Sequence, residues 1–124
     1  MVDDIRDSSM QHLVFVYGTL RKGESNHHYL EQCDCLGTCE TLPEYTLFDL
    51  GAYPAVIAGH SSILGEVYWV NDDTLAQLDR LEDVPVEYRR ETISTPFGLA
   101  WIYLYQQPAE LDVEIASGDW FQRI

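Results

Sequence analysis

Two strand-like runs, Tyr88 to Ser94 (YRRETIS) and Leu99 to Tyr105 (LAWIYLY), flank the short link Thr95-Pro96-Phe97-Gly98. A Pro–Gly link of that length makes a turn and nothing larger, so the second run returns antiparallel to the first. A parallel pair would need a crossover of about a dozen residues or more. This hairpin argues for an α+β chain over a repeating βαβ fold.

The remaining elements fit around it. Leu13 to Val16 is a short apolar run, as a strand buried on both faces requires. Cys35 to Glu40 reads as an extended connection or strand, and Tyr45 to Leu50 alternates as a strand should. Ile63 to Val70 is another strand, interrupted by Gly65, which marks a bulge or a close backbone approach. Asn71-Asp72-Asp73-Thr74 supplies a cap and first-turn acids for a helix carrying Leu75, Leu78 and Leu81, which Pro85 terminates. Ser25 or Asn26 is positioned to cap a second, short helix over Asn26 to Gln32. The expected architecture is a small barrel-like mixed β-sheet with two short flanking helices. Residues 1–11 read as a flexible polar leader and 12–124 as a single domain. In the distal tail, Trp120 and Phe121 are expected to pin the chain to the body.

Charge narrows the partners. Seven Lys and Arg stand against 21 Asp and Glu, a formal net charge of -14. Such a field repels phosphate backbones and anionic membrane surfaces, which argues against nucleic acid and membrane and leaves a small-molecule ligand held by local donors. No apolar run approaches the ~20 residues that span a bilayer, and the first eleven residues lack the apolar core of a signal peptide. A cytoplasmic location is expected. Cys33, Cys35 and Cys39 are odd in number and lack the paired spacing of a zinc site, so they read as reduced structural or incidental thiols rather than a metal centre.

Two features remain for chemistry. At Tyr17-Gly18-Thr19-Leu20 the buried strand breaks. Gly18 permits a sharp bend or close approach, and consecutive N–H groups there can form a nest for an anion or a polarised carbonyl. The plainer alternative is a first strand followed by an ordinary turn. Glu82 follows Leu78 by four residues and Leu75 by seven, so it projects from the face that docks the helix. A carboxylate among leucines and aromatics loses hydration, its pKa rises, and it suits general acid–base work. Alternatively, Glu82 ends a frayed helix and reaches water.

Val14 to Gly23 (VFVYGTLRKG), Gly51 to Ala55 (GAYPA), Gly65 to Tyr68 (GEVY) and Leu78 to Arg90 (LDRLED…YRR) occur in this order. Together they resemble the gamma-glutamylcyclotransferase-like superfamily, above all the gamma-glutamylamine cyclotransferases and the short bacterial members. The resemblance runs from Leu13 to Trp120. It implies a barrel-like sheet with a pocket at the glycine turn, where Tyr17, Gly18, Thr19 and Leu20 hold a γ-glutamyl group. It implies Glu82 as catalytic acid/base, Tyr88 near the pocket, and no metal or organic cofactor. The implied reaction is release of 5-oxoproline by intramolecular aminolysis. Longer members close the pocket with additional C-terminal residues; here Tyr103 or Tyr105 would stand in. The competing reading is a non-catalytic protein that binds a small γ-glutamyl or carboxylated metabolite in the same pocket. A purely structural interaction domain would leave both the donor loop and Glu82 unexplained.

Overall fold

A computed structural model of the chain describes residues 11–123. Eight strands alternate with one α-helix and three short 3₁₀ turns among those residues. Strand β1 (Gln11–Val16) is followed by β2 (Cys35–Glu40), β3 (Tyr45–Asp49), β4 (Pro54–Ala58) and β5 (Leu64–Asn71). Helix α1 (Asp72–Leu81) then leads into the hairpin β6 (Tyr88–Thr95) and β7 (Gly98–Tyr105), and β8 (Val113–Glu114) closes the series.

The α+β reading holds, with the strands divided between two sheets. One is five-stranded in the order β2-β5-β1-β7-β6, the other three-stranded in the order β4-β3-β8. The larger sheet is mixed: β1 runs antiparallel to β5 and parallel to β7. The hairpin pairs from Tyr88↔Tyr105 to Thr95↔Gly98, as its short turn demands.

Strand β1 is the middle strand, and its residues divide between two cores. Leu13, Phe15 and Tyr17 pack with Leu47 and Val56 of the smaller sheet, and with Ile63, Ile102 and Trp120. Val14 and Val16 pack with Leu20, Tyr68, Leu75 and Leu78 under the helix. Covered on both faces, the strand has no solvent side, which is why its apolar residues run without alternation. Gly65 of β5 is a close approach: a Cβ there would lie 2.5 Å from both Phe15 Cζ and the Val16 carbonyl oxygen.

Asn71 caps α1, its side chain accepting from the Thr74 N–H at 2.8 Å. Leu75 and Leu78 are buried. The second helix is smaller than the sequence suggests. Only His27–Leu30 winds, as a 3₁₀ turn, and the Asn26 side chain makes no cap. That amide instead donates to Thr19 Oγ1 at 2.9 Å, so the residue that would start the helix braces the glycine loop. Gln11, expected in the polar leader, begins β1 by pairing with Asn71; the rest of that leader lies outside the described residues. Trp120 is buried as expected, whereas Phe121 stays partly exposed and stacks on the Arg21 guanidinium at 4.0 Å. No helix among the described residues is long and apolar enough to cross a membrane.

Candidate active site

Strand β1 ends at Val16, and the next four residues are buried although they belong to no strand. The carbonyls of this loop are used: Gly18 accepts from the Arg21 N–H at 3.0 Å, and Thr19 from the Asn26 N–H at 2.8 Å. Its amides are not. Among the described residues, the N–H groups of Gly18, Thr19 and Leu20 donate to no protein acceptor. Buried donors without partners are costly in a folded protein, and a run of them lining a cavity is a ready-made site for an anion or an oxyanion. Asn26 at Thr19 Oγ1 and His27 Nδ1, 3.0 Å from the Leu20 carbonyl oxygen, hold the loop in place.

Gly18 lies against Pro54 so tightly that a Cβ would come within 2.3 Å of Pro54 Cγ and 2.6 Å of Cδ. Gly18→Ala is therefore expected to destabilise the fold by about 1–3 kcal/mol, the usual penalty of overpacking. Thermal unfolding checks this: an unchanged Tm would mean that Pro54 yields freely.

The cavity beside this loop has a volume of about 190 Å³, and Glu82 forms part of its wall. Glu82 is the C-cap of α1, where its N–H bonds back to the Leu78 carbonyl. Asp83 follows in the left-handed region at φ 55°. This turns the chain out of the helix and leaves the Glu82 side chain on the cavity side. No donor among the described residues reaches its carboxylate. Burial, and secondarily the charge of Glu87, push its pKa up to about 7. A carboxylate poised there can accept a proton and return it near neutral pH.

Four tyrosines surround Glu82 closely enough for its charge to act on their hydroxyls. Each hydroxyl proton is committed elsewhere. Tyr17 donates to the Tyr103 carbonyl at 2.6 Å and Tyr88 to the Pro54 carbonyl at 2.7 Å. Tyr103 donates to Asp79 Oδ1 at 2.8 Å and Tyr53 to Glu87 Oε2 at 2.7 Å. Burial first, then neighbouring charge, drives the Tyr17 and Tyr88 pKa values far above the usual phenol range. They stay neutral and build a wall of committed hydroxyls that leaves Glu82 without a partner among the described residues.

All six residues singled out in the sequence, Tyr17, Gly18, Thr19, Leu20, Glu82 and Tyr88, line this one cavity. Tyr103 lines it too, while Tyr105 stands behind, edge-on to Tyr88 with ring centroids 5.2 Å apart. Sequence reasoning passed over Asn26, Tyr53, Pro54 and Glu87 as cavity residues. Tyr53-Pro54 stood in a Gly- and Pro-punctuated stretch that reads as a turn, and Glu87 carries no periodic signal because it sits in the irregular link after α1. Arg21, close to the loop in sequence, is turned away and bound to Glu66 and Asp119. Cys33, Cys35 and Cys39 are free, and no group of three metal-ligating side chains converges among the described residues.

A family profile described as Gamma-glutamyl cyclotransferase, AIG2-like, matches residues 14–122. A provisionally named gamma-glutamylcyclotransferase of Vibrio cholerae is 67% identical over 115 residues, covering 93% of this chain and 100% of that protein. The gamma-glutamylcyclotransferase family protein YtfP of Escherichia coli is 42% identical over 110 residues, covering 89% of this chain and 96% of its own. Its solution structure superposes with a TM-score of 0.73, covering 90% of this chain and 97% of that one. A protein of Niallia circulans named gamma-L-glutamyl-butirosin B gamma-glutamyl cyclotransferase is 32% identical over 122 residues, covering 88% of this chain and 75% of its own.

Proposed function

This chain belongs to the AIG2-like gamma-glutamyl cyclotransferase family, and from that premise we propose that it releases 5-oxoproline from a γ-glutamyl-amine or γ-glutamyl peptide. One observation carries the proposal: Glu82, whose carboxylate has no partner among the described residues, and Gly18, Thr19 and Leu20, whose backbone N–H groups have no acceptor among them, line the same cavity. An aminolysis needs both, one group to move a proton and another to hold negative charge.

The chemistry follows in order. The γ-glutamyl part of the substrate lies along Tyr17 to Leu20, with the loop N–H groups receiving its carboxylate or the oxygen of its γ-carbonyl. Glu82 takes a proton from the α-ammonium, and the freed amine attacks the γ-carbonyl carbon. The new C–N bond closes a five-membered ring, and the carbonyl oxygen becomes an oxyanion. As the tetrahedral centre collapses, Glu82 gives its proton to the original amide nitrogen and the C–N bond breaks. The ring nitrogen, still carrying one proton too many, passes it to the re-ionised Glu82, which hands it to the departing amine and is left as the carboxylate it began as. The products are 5-oxoproline and a free amine, and water takes no part. Folding the substrate over itself supplies the orientation that makes ring closure fast. The working setting is the cytoplasm and the partner a small molecule, with no added cofactor.

Incubation with a panel of γ-glutamyl-amines and γ-glutamyl dipeptides, read by mass spectrometry, tests this. 5-Oxoproline is expected from at least one class. Binding without release would make the protein a metabolite binder.

A further inference from the structure

We infer that Glu87, held by Tyr53 at the cavity mouth, selects substrates whose departing amine carries a second positive charge. This rests on the cyclotransferase reading and adds what that reading leaves open, the class of the leaving group.

The charge content of the cavity is one-sided. Among the described residues, its charged lining residues are Glu82 and Glu87, and no Lys or Arg lines it. Cations near the walls are already bound: Arg21 by Glu66 and Asp119, and Arg90 by Asp79 at 3.0 Å. Among the described residues, the donors left to meet an anion inside are the loop N–H groups, the Thr19 hydroxyl and the second amide hydrogen of Asn26, all on the loop or its brace, where the substrate's own α-carboxylate or oxyanion lies. A leaving amino acid with a free carboxylate would therefore face Glu87 with nothing to neutralise it.

Glu87 is also set up to bind rather than to react. Its N–H donates to the Asp83 carbonyl at 2.8 Å, and its carbonyl accepts from the Gln106 N–H at 2.9 Å. The Gln106 side-chain amide donates to the carbonyls of Pro85 and Val86, fastening the same link to the end of β7. On the carboxylate, Oε2 accepts from Tyr53 while Oε1 has no donor among the described residues. Tyr53 is 39% exposed, which puts this pair at the open side of the cavity. A substrate with its γ-glutamyl end on the loop sends its other end there. An ammonium group on that end can donate to the vacant Oε1, forming a charge-assisted hydrogen bond on a fixed acceptor.

Three γ-glutamyl amides of matched length test this: those of 1,4-diaminobutane (cationic tail), pentylamine (neutral) and 4-aminobutanoate (anionic). The expected order of kcat/KM is cationic, neutral, anionic, with a charge-assisted contact separating the first two by about tenfold or more. Glu87→Gln should collapse that ratio, chiefly through KM of the cationic amide, and Tyr53→Phe should reduce it partway. Equal kcat/KM for the cationic and neutral amides in the wild type would overturn the inference and leave the cyclotransferase reading standing. So would a Glu87→Gln that slows all three equally, since Glu87 would then act on the chemistry or the loop. Release from none of the three beside release from a γ-glutamyl dipeptide would overturn this inference alone; release from neither kind would overturn the cyclotransferase reading and this inference with it.

Discussion

Glu82→Gln is expected to lower 5-oxoproline release by about 10²–10⁴-fold, the range a positioned acid–base group supplies. Substrate binding should change little, because the loop N–H groups and the tyrosine wall are untouched. The same substitution should make the fold more stable at neutral and alkaline pH. The carboxyl is held at about 7 against an ordinary value of 4.5. Between those values the unfolded chain has given up the proton and the folded chain keeps it, so stability falls as pH rises through this window. Gln carries no such penalty. The gain above pH 7 is on the order of 2 kcal/mol, somewhat under the full pKa difference because Glu82 is not sealed from solvent. In the wild type, kcat/KM should show an acid limb with a midpoint near 7, since the base works only when ionised. Thermal melts at pH 4.5 and pH 8, beside single-substrate kinetics, read both effects. Retained turnover in Glu82→Gln would remove Glu82 from the reaction. A variant equally destabilised at both pH values would mean that its carboxyl has a structural role.

The second large effect is expected at Arg21. Its guanidinium lies 3.1 Å from Glu66 Oε2 and 2.8 Å from Asp119 Oδ1, with side-chain exposures of 6%, 8% and 15% for the three residues. Glu66 also accepts from the Lys22 N–H at 2.9 Å and from the Tyr68 hydroxyl at 2.8 Å. This cluster ties the end of the glycine loop to β5 and to the C-terminal tail. Removing this cation leaves two largely buried carboxylates without their paired charge, so Arg21→Met should cost about 3–5 kcal/mol. Arg21→Lys should rescue little, because a single ammonium cannot reproduce a planar fork between two acids. Adding Glu66→Gln to Arg21→Met should recover part of the loss. Denaturant unfolding of the three variants measures this. A double variant no more stable than Arg21→Met would show that packing of the arginine stem, and not charge, carries the contribution.

How far the site could be read from the chain depends on how locally each part is specified. The hairpin Tyr88–Tyr105 was plain because a turn of Pro and Gly forces its neighbours together whatever surrounds them. Helix α1 was equally plain: its cap, its leucines and its stop all lie within one segment. Glu82 stood out because periodicity put an acid on an apolar stripe. The second helix failed for a reason just as physical. Asn26 had two possible partners, the first turn of its own helix or Thr19, and the buried loop took it.

What the sequence by itself determined is therefore the set of elements, the broken strand at Gly18 and the misplaced acid. Only the tertiary structure decided that the two meet. Gly18 and Glu82 are far apart in the chain, and no local preference relates them. Their meeting follows from β1 lying at the middle of the larger sheet, covered by α1 on one face and by the smaller sheet on the other. The same packing took much of the water from Glu82, turned Arg21 away from the cavity to Glu66, and brought Tyr53 onto Glu87. Burial, close approach and the pairing of distant charges are properties of the folded chain. They set the pKa, the free donors and the one-sided charge from which the chemistry of this cavity follows.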